Sequence, residues 1–222
     1  MNRKKVKIII ITAALLALAA LVGVYFVFSP EAPVLLDGYT PKTRIICIDP
    51  GHGGEDPGAV NGDRLEKDDN LTLALKVAEY VEQQGFTALL TRSDDRYLTL
   101  GDRCEIANDA DAAYFVSLHR NSASGGKGTE VWIASGKTAP ERKLAQKIMA
   151  ALDDVGIQSN RGVKSGTQSS PDKDYAVNKN TKMPSCIVEL GFITNDEDNR
   201  LLDEKHDEYA RAIACAITEL MK

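Results

Sequence analysis

The chain has 222 residues, of which 43% are hydrophobic and 27% charged, with a formal net charge of −5. That length suits one domain of ordinary size plus an extra segment, with enough apolar side chains to bury a core without metal or disulfide support. Beyond the first thirty residues, 23 basic side chains face 32 acidic ones, a net of −9 that argues against nucleic acid as a partner.

The first thirty residues stand apart. Arg3, Lys4, Lys5 and Lys7 precede an uncharged run over 8–28 in which Thr12 is the one plainly polar side chain. At helical rise such a run reaches roughly 30 Å, the thickness of a bilayer core. The pattern predicts a basic cytoplasmic end at 1–7 and a single-pass transmembrane signal-anchor at 8–28. The remaining chain then faces outward, since basic residues stay on the cytoplasmic side. The small-x-small triplet Ala17-Leu18-Ala19 keeps cleavage and secretion as the alternative. Residues 29–43, with Pro30, Pro33, Gly38 and Pro41, predict a tether, and 44–222 a folded domain.

Within that domain, 44–48 predicts a short strand covered on both faces, ended by Asp49-Pro50-Gly51-His52-Gly53-Gly54. A helix is expected over 70–84, with Leu71, Leu75, Ala78 and Val81 as its apolar face and Gly85 as its stop. A strand at 87–90, a helix at 100–110 and a strand at 114–118 follow, the last leading directly into His119. A loop at 122–128, a strand at 129–134 and a helix at 140–152 come next. Residues 156–181 show little regularity and read as a loop that covers an active site or lies on the surface. A buried strand at 186–188 runs into Glu189, and a final helix is expected over 206–221. Strands alternating with helices predict an α/β single-domain sandwich, its mostly parallel central sheet flanked by helices and preceded by the N-terminal transmembrane helix.

Cys47, Cys104, Cys186 and Cys215 form no CxxC pair, and three lie in apolar contexts, so buried free thiols are expected. The polar residues at strand ends carry more information. In open α/β sheets ligands bind beyond the carboxyl ends of strands, where His52, His119 and Glu189 all fall. Two imidazoles with one carboxylate and an open water position suit zinc. The oxygen ligand could come from Asp49, Glu55, Asp56, Asp63, Glu66, Asp68 or Asp69, and spacing does not choose among them. Glu66 sits at a helix start, where acidic residues are also welcome for the unpaired N–H groups alone. His206 lies in a polar, acidic stretch and reads as surface.

Four stretches in order, DPGHGG (49–54), LEKDDNL (65–71), SLHRNS (117–122) and PSCIVELGFITN (184–195), resemble the zinc-dependent N-acetylmuramoyl-L-alanine amidase family, the amidase type 3 domain. RCEIAN (103–108) and RGVK (161–164) add to the resemblance, which covers about 44–220. It implies one zinc ion per chain held by His52, Glu66 and His119, with Glu189 as the catalytic acid and base. The implied reaction is hydrolysis of the amide between N-acetylmuramic acid and L-alanine, so the implied partner is a peptidoglycan glycan strand bearing its stem peptide. A zinc peptidase or deacetylase acting on cell-wall material is the alternative enzyme class, and a non-catalytic peptidoglycan-binding module the non-enzymatic one. Arg120 stands where many relatives have a small residue; it, Trp132 and Tyr175 are candidate groove residues, and Asn121 a candidate for orienting the His119 loop. One anchor plus one catalytic domain also resembles short amidases of sporulation, although a vegetative role fits equally. A protein activator is left open.

Overall fold

A computed structural model describes residues 39–136 and 139–222. The expected basic end, the anchor at 8–28 and the tether up to residue 38 lie outside the described residues. Among the described residues no helix is long and apolar enough to cross a membrane.

Among the described residues, eight strands and six α-helices follow one another as β1 (Ile45–Pro50), β2 (Val60–Asn61), β3 (Arg64–Leu65), α1 (Glu66–Gln83), β4 (Thr87–Leu90), α2 (Leu100–Asp109), β5 (Tyr114–Asn121), β6 (Thr129–Ile133), α3 (Ala139–Val155), β7 (Asn160–Ser165), α4 (Ala176–Asn180), β8 (Ser185–Phe192), α5 (Asp196–Glu204) and α6 (His206–Thr218), with a 3₁₀ turn at Glu219–Met221. The main sheet has six strands in the order β4-β1-β5-β8-β6-β7, and β2 and β3 form a separate small hairpin.

The sheet is mixed. Parallel pairing joins β4, β1, β5 and β8 in turn, and β6 to β7, but β6 runs antiparallel to β8. The short 122–128 connection explains the reversal. A parallel crossover needs a dozen or more residues, so a chain that turns back within seven must run the other way.

Period-two alternation divides the strands between two faces. Ile46, Ile48, Tyr114, Val116, Leu118, Val131, Ile133, Cys186 and Val188 pack into the larger core beneath α1, α3 and α6. Cys47, Phe115, Trp132 and Ile187 point the other way, into a smaller core with Cys104 and Ala107 of α2 and Val177 of α4. All four cysteines are free; Cys215 is half-buried and the others are buried. Tyr39 packs edge-on against Tyr114, with ring centroids 5.8 Å apart, and its hydroxyl donates to the Ala113 carbonyl at 2.5 Å.

Several sequence expectations shift. The buried stripe of α1 is Glu66, Asn70, Leu73, Ala74, Val77, Ala78 and Val81, so Leu71 and Leu75 lie off it and Leu75 is exposed. The helix is rotated so that Glu66 and Asn70, at its first turns, join the buried face. The irregular 156–181 stretch contains β7 and α4, and α5 precedes the expected final helix. His206 is half-buried at the start of α6, not on the open surface, and burial lowers its pKa.

Candidate active site

Residues that continue the smaller face of the sheet converge at the strand ends. Asp49 pairs in register with Ser117, and His119 with Glu189, which in turn faces Glu130 of β6. Leaving β1, the chain makes a tight turn in which His52 adopts φ 61, a left-handed conformation uncommon for a side chain of this size. Buried arginines hold that turn by its carbonyls. Arg92 donates to the Pro50 carbonyl at 3.0 Å and to Gly51 at 2.9 Å, while Arg103 donates to Pro50 and His52 at 2.8 Å each. Asp49 faces inward, taking bonds from Arg103 at 2.8 Å and from Thr91 and Ser117 at 2.6 Å, and so is committed to holding the turn. A buried charge that is paired and hydrogen-bonded on all sides is a fixed point, and the turn inherits its rigidity.

The β2–β3 hairpin delivers Glu66 from the other side. Its Oε2 accepts from the Ala59 amide at 2.8 Å and its Oε1 from the Arg120 amide at 3.0 Å. Oε1 also lies 3.2 Å from His52 Nε2 and 2.9 Å from His119 Nδ1. His52, Glu66 and His119 can each offer one donor atom such that all lie within 4.8 Å of one another. The other nitrogen of His52, Nδ1, bonds Asp56 Oδ2 at 2.8 Å, which fixes the ring with Nε2 facing the cluster. Close packing leaves no slack: a Cβ on Gly51 would fall 2.2 Å from His119 Cε1, and one on Gly58 2.6 Å from His52 Cδ2.

Electrostatics match this geometry. Burial would lower the His52 pKa, but Glu66 and Asp56 push it up to about 9. Burial would raise Glu66, but bonds from His119 and His52 hold it far below the carboxylate range. His119 is likewise raised by Glu66 against the effect of burial. Three groups whose charges are this strongly interdependent could hold a cation in place of the protons.

Glu189 differs from all of these. Its Oε2 is shielded and has no hydrogen-bond partner. Burial pushes its carboxyl up to about 7, with His119 pulling down and Glu66 and Glu130 pushing up. It lines, together with His52, Glu66 and His119, an open cleft of about 400 Å³.

The cleft therefore collects every site residue expected from the sequence: His52, Glu66, His119 and Glu189. Of the open choices for an oxygen donor, Glu66 lies in the cluster, whereas Asp56 orients His52 and Asp69 pairs with Arg64 and Arg120. Arg120 is among the residues that line the cleft, but its guanidinium is buried between Asp69 and Asn199. Trp132 is buried and meets Tyr175 edge-on at 5.8 Å, and Tyr175 lines the cleft. Asn121 lines it too, its side-chain oxygen accepting from the Ser122 amide at 2.8 Å. Asp56 as orienting group and Arg92 and Arg103 as clamps were not foreseen. The Arg103–Asn108 stretch was the one visible signal for Arg103.

A His–Glu–His donor set at the strand ends of an α/β sheet, with an unpartnered carboxylate beside it, is the arrangement metal-dependent hydrolases use. The N-acetylmuramoyl-L-alanine amidase family model matches residues 46–219, and the chain belongs to this family. It is 36% identical over 202 residues to the uncharacterised protein YqiI of Bacillus subtilis, covering 89% of this chain and 91% of YqiI. It is 35% identical over 173 residues to the N-acetylmuramoyl-L-alanine amidase LytC of the same organism, covering 76% of this chain but only 34% of LytC. Among solved structures, the N-acetylmuramoyl-L-alanine amidase AmiC2 of Nostoc punctiforme superposes with a TM-score of 0.70 at 36% identity, over 79% of this chain and 95% of that one.

Proposed function

We propose that this protein hydrolyses the amide bond between N-acetylmuramic acid and L-alanine in peptidoglycan, using one zinc ion held by His52, Glu66 and His119. The observation that carries the reading is Glu189: a half-buried carboxylate whose shielded Oε2 has no hydrogen-bond partner, beside a three-donor cluster, in a protein of the amidase family. The donor set fits zinc, since two imidazoles and one carboxylate leave an open position for water. When bound, zinc supplies Lewis acidity that acidifies a water and polarises a carbonyl.

The chain's own residues do the rest. Asp56 keeps the Nε2 of His52 turned to the cluster, and the Ala59 and Arg120 amides hold both oxygens of Glu66. Glu189 is the proton carrier. Its carboxylate takes a proton from the attacking water and returns it to the departing alanine nitrogen. One water is consumed, the C–N bond breaks, and a lactyl carboxylate and a free amine result.

In this reading residues 1–7 are the basic cytoplasmic end, 8–28 a membrane anchor, 29–43 a tether and 44–222 the catalytic domain, placed outside the cytoplasm beside its substrate. The amphipathic contrast of the first thirty residues supports that arrangement.

Digestion of purified peptidoglycan by the full-length protein in detergent, with products identified by mass spectrometry, tests the reading. Zinc-loaded protein should release stem peptides that begin with L-alanine, while chelated protein and Glu189→Gln should release none. Cleavage at another bond would reassign the protein to the peptidase or deacetylase class. Wall binding without any cleavage would make it a binding module.

A further inference from the structure

The cleft has two unlike sides. Two of the segments that line it follow the edge strands of the sheet, β4 and β7. From the β7 side come Gln168 and Tyr175, whose hydroxyl accepts from the Gln168 amide at 3.2 Å. From the β4 side come Tyr97, Leu98 and Leu100. Tyr97 is 48% exposed and Leu100 58%, two of only four large hydrophobic side chains exposed among the described residues.

This apolar rim is not a loose loop. Asp95 accepts from the Gly54 amide at 2.8 Å and from Lys67 at 2.7 Å. Thr99 and Asp102 form a reciprocal capping box that starts α2 at Leu100. Arg103 donates to the Leu98 carbonyl at 3.3 Å with the same nitrogen that holds His52. The backbone at Tyr97 lies so close to the His52 turn that a Cβ on Gly54 would sit 2.6 Å from the Tyr97 amide nitrogen. A rigid segment that presents an aromatic and an aliphatic side chain to water beside a reactive cluster is a preorganised contact surface.

We propose that Tyr97 and Leu100 form a sugar-binding platform, on which the apolar C–H face of an N-acetylated pyranose ring packs while the stem peptide leaves towards Gln168 and Tyr175. This rests on the amidase reading of the same cleft and deepens it by assigning the two halves of the substrate to its two sides. Three features favour a sugar at this rim. A flat aromatic face with an aliphatic neighbour matches a pyranose ring, which offers C–H groups on its face and hydroxyls at its edge. The charges flanking the rim are chiefly acidic: Glu55, Asp94, Asp95 and Asp102 are exposed, against Arg96 beside Asp94 at 3.4 Å and Lys67 paired with Asp95 at 2.7 Å. That balance suits an uncharged ring better than a peptide bearing carboxylates. The β7 side, by contrast, offers amide and hydroxyl groups that can pair with a peptide backbone.

Steady-state cleavage by the zinc-loaded full-length protein would compare two substrates, a disaccharide-peptide and an N-lactoyl peptide that lacks the sugars. Tyr97→Ala should raise KM on the disaccharide-peptide by about five- to tenfold, the range of one lost aromatic contact, and leave kcat unchanged. Tyr97→Phe should retain the wild-type KM, and neither variant should alter KM for the sugarless peptide. Equal losses on both substrates would place Tyr97 against the peptide, and no loss on either would remove it from binding; each result overturns the proposal. A second measurement is independent of cleavage. Titration with a chito-oligosaccharide, followed by NMR, should shift the Tyr97 ring and Leu100 methyl signals of the intact protein, with the effect lost in Tyr97→Ala. Shifts at these residues without any amidase turnover would uphold the platform while refuting the amidase reading. Absence of shifts in the wild-type protein would overturn the platform whatever the enzyme cleaves.

Discussion

At the scale of single residues, the absence of a side chain at position 51 matters as much as any donor atom. The Cα of Gly51 sits against the edge of the His119 ring, so even a methyl group would fall 2.2 to 2.3 Å from its Cε1 and Nε2. The ring cannot retreat freely, because its Nδ1 is held at 2.9 Å by Glu66 and its strand is central in the sheet. Gly51→Ala is therefore expected to cut zinc affinity by roughly tenfold or more, the scale on which groups that orient metal ligands act. Competition with a chromophoric chelator would measure it, and an unchanged affinity would show that the ring has room to move. The sequence exposed His52, His119 and Glu189 because each interrupts or ends an apolar strand, where an ionisable side chain has no reason to be unless it works. The supporting residues were hidden for an equally physical cause. Arg92 and Arg103 meet the His52 turn across about forty to fifty positions of chain, and neither lies in a pattern that periodicity can read.

At the scale of elements, α1 and β5 each bring one donor, and a buried ion pair ties them together. Arg120 follows His119 on β5 and pairs with Asp69, one turn after Glu66 on α1. Arg64 of β3 joins the same carboxylate at 2.8 Å and reaches Asp203 of α5 at 2.7 Å. Arg120→Ala should destabilise the fold by about 1–3 kcal/mol, less than the full cost of orphaning a buried charge because Arg64 remains on Asp69. Denaturant unfolding would measure the loss. Arg120→Lys should recover only part of it, since an ammonium cannot serve Asp69 and Asn199 with a planar fork. The same network shows why the face of α1 was misjudged from sequence. Ala78 and Val81 are buried as expected, but Leu71 and Leu75 fit a stripe with them as well as Leu73 and Val77 do, and only the polar Glu66 and Asn70 at the first turns select between the two. The short elements failed differently: β7 is polar and half-exposed, and α5 buries only Asp198 and Leu202, so neither carries an apolar period to detect.

For the whole molecule, the site stores a pH dependence that the metal should erase. Without metal, His52 titrates near 9 rather than 6.5. A basic group raised on folding stabilises the protein fully below its unfolded pKa and loses that contribution as pH climbs through the folded one. Glu189, pushed from 4.5 to about 7, works in the same direction, because the folded state favours its neutral form and stability falls as it ionises. Glu66 is depressed, so its contribution is present above 4.5 and fades as the pH drops below that value. Metal-free protein should thus be most stable near pH 5 and lose about 2–3 kcal/mol by pH 9 from His52 alone, the figure set by the difference between its folded and unfolded pKa. Thermal melts across this range in chelator would reveal the slope. Zinc binds the deprotonated ligands, so the loaded protein should show a flatter profile and a rising advantage in Tm as pH increases. A metal-free profile that is flat between pH 5 and 9 would mean the cluster does not hold its protons in the way its distances imply.

The polarity of β7 has one more effect. An edge strand leaves backbone donors and acceptors open along one side, an invitation for another chain to add its own strand and begin an aggregate. This one carries Asn160, Arg161 and Lys164 in six residues, with Gly162 at φ 82 breaking its flatness. The composition that makes β7 hard to recognise as a strand also makes it a poor template for a neighbour, so the sheet ends there for other molecules as well as for its own chain.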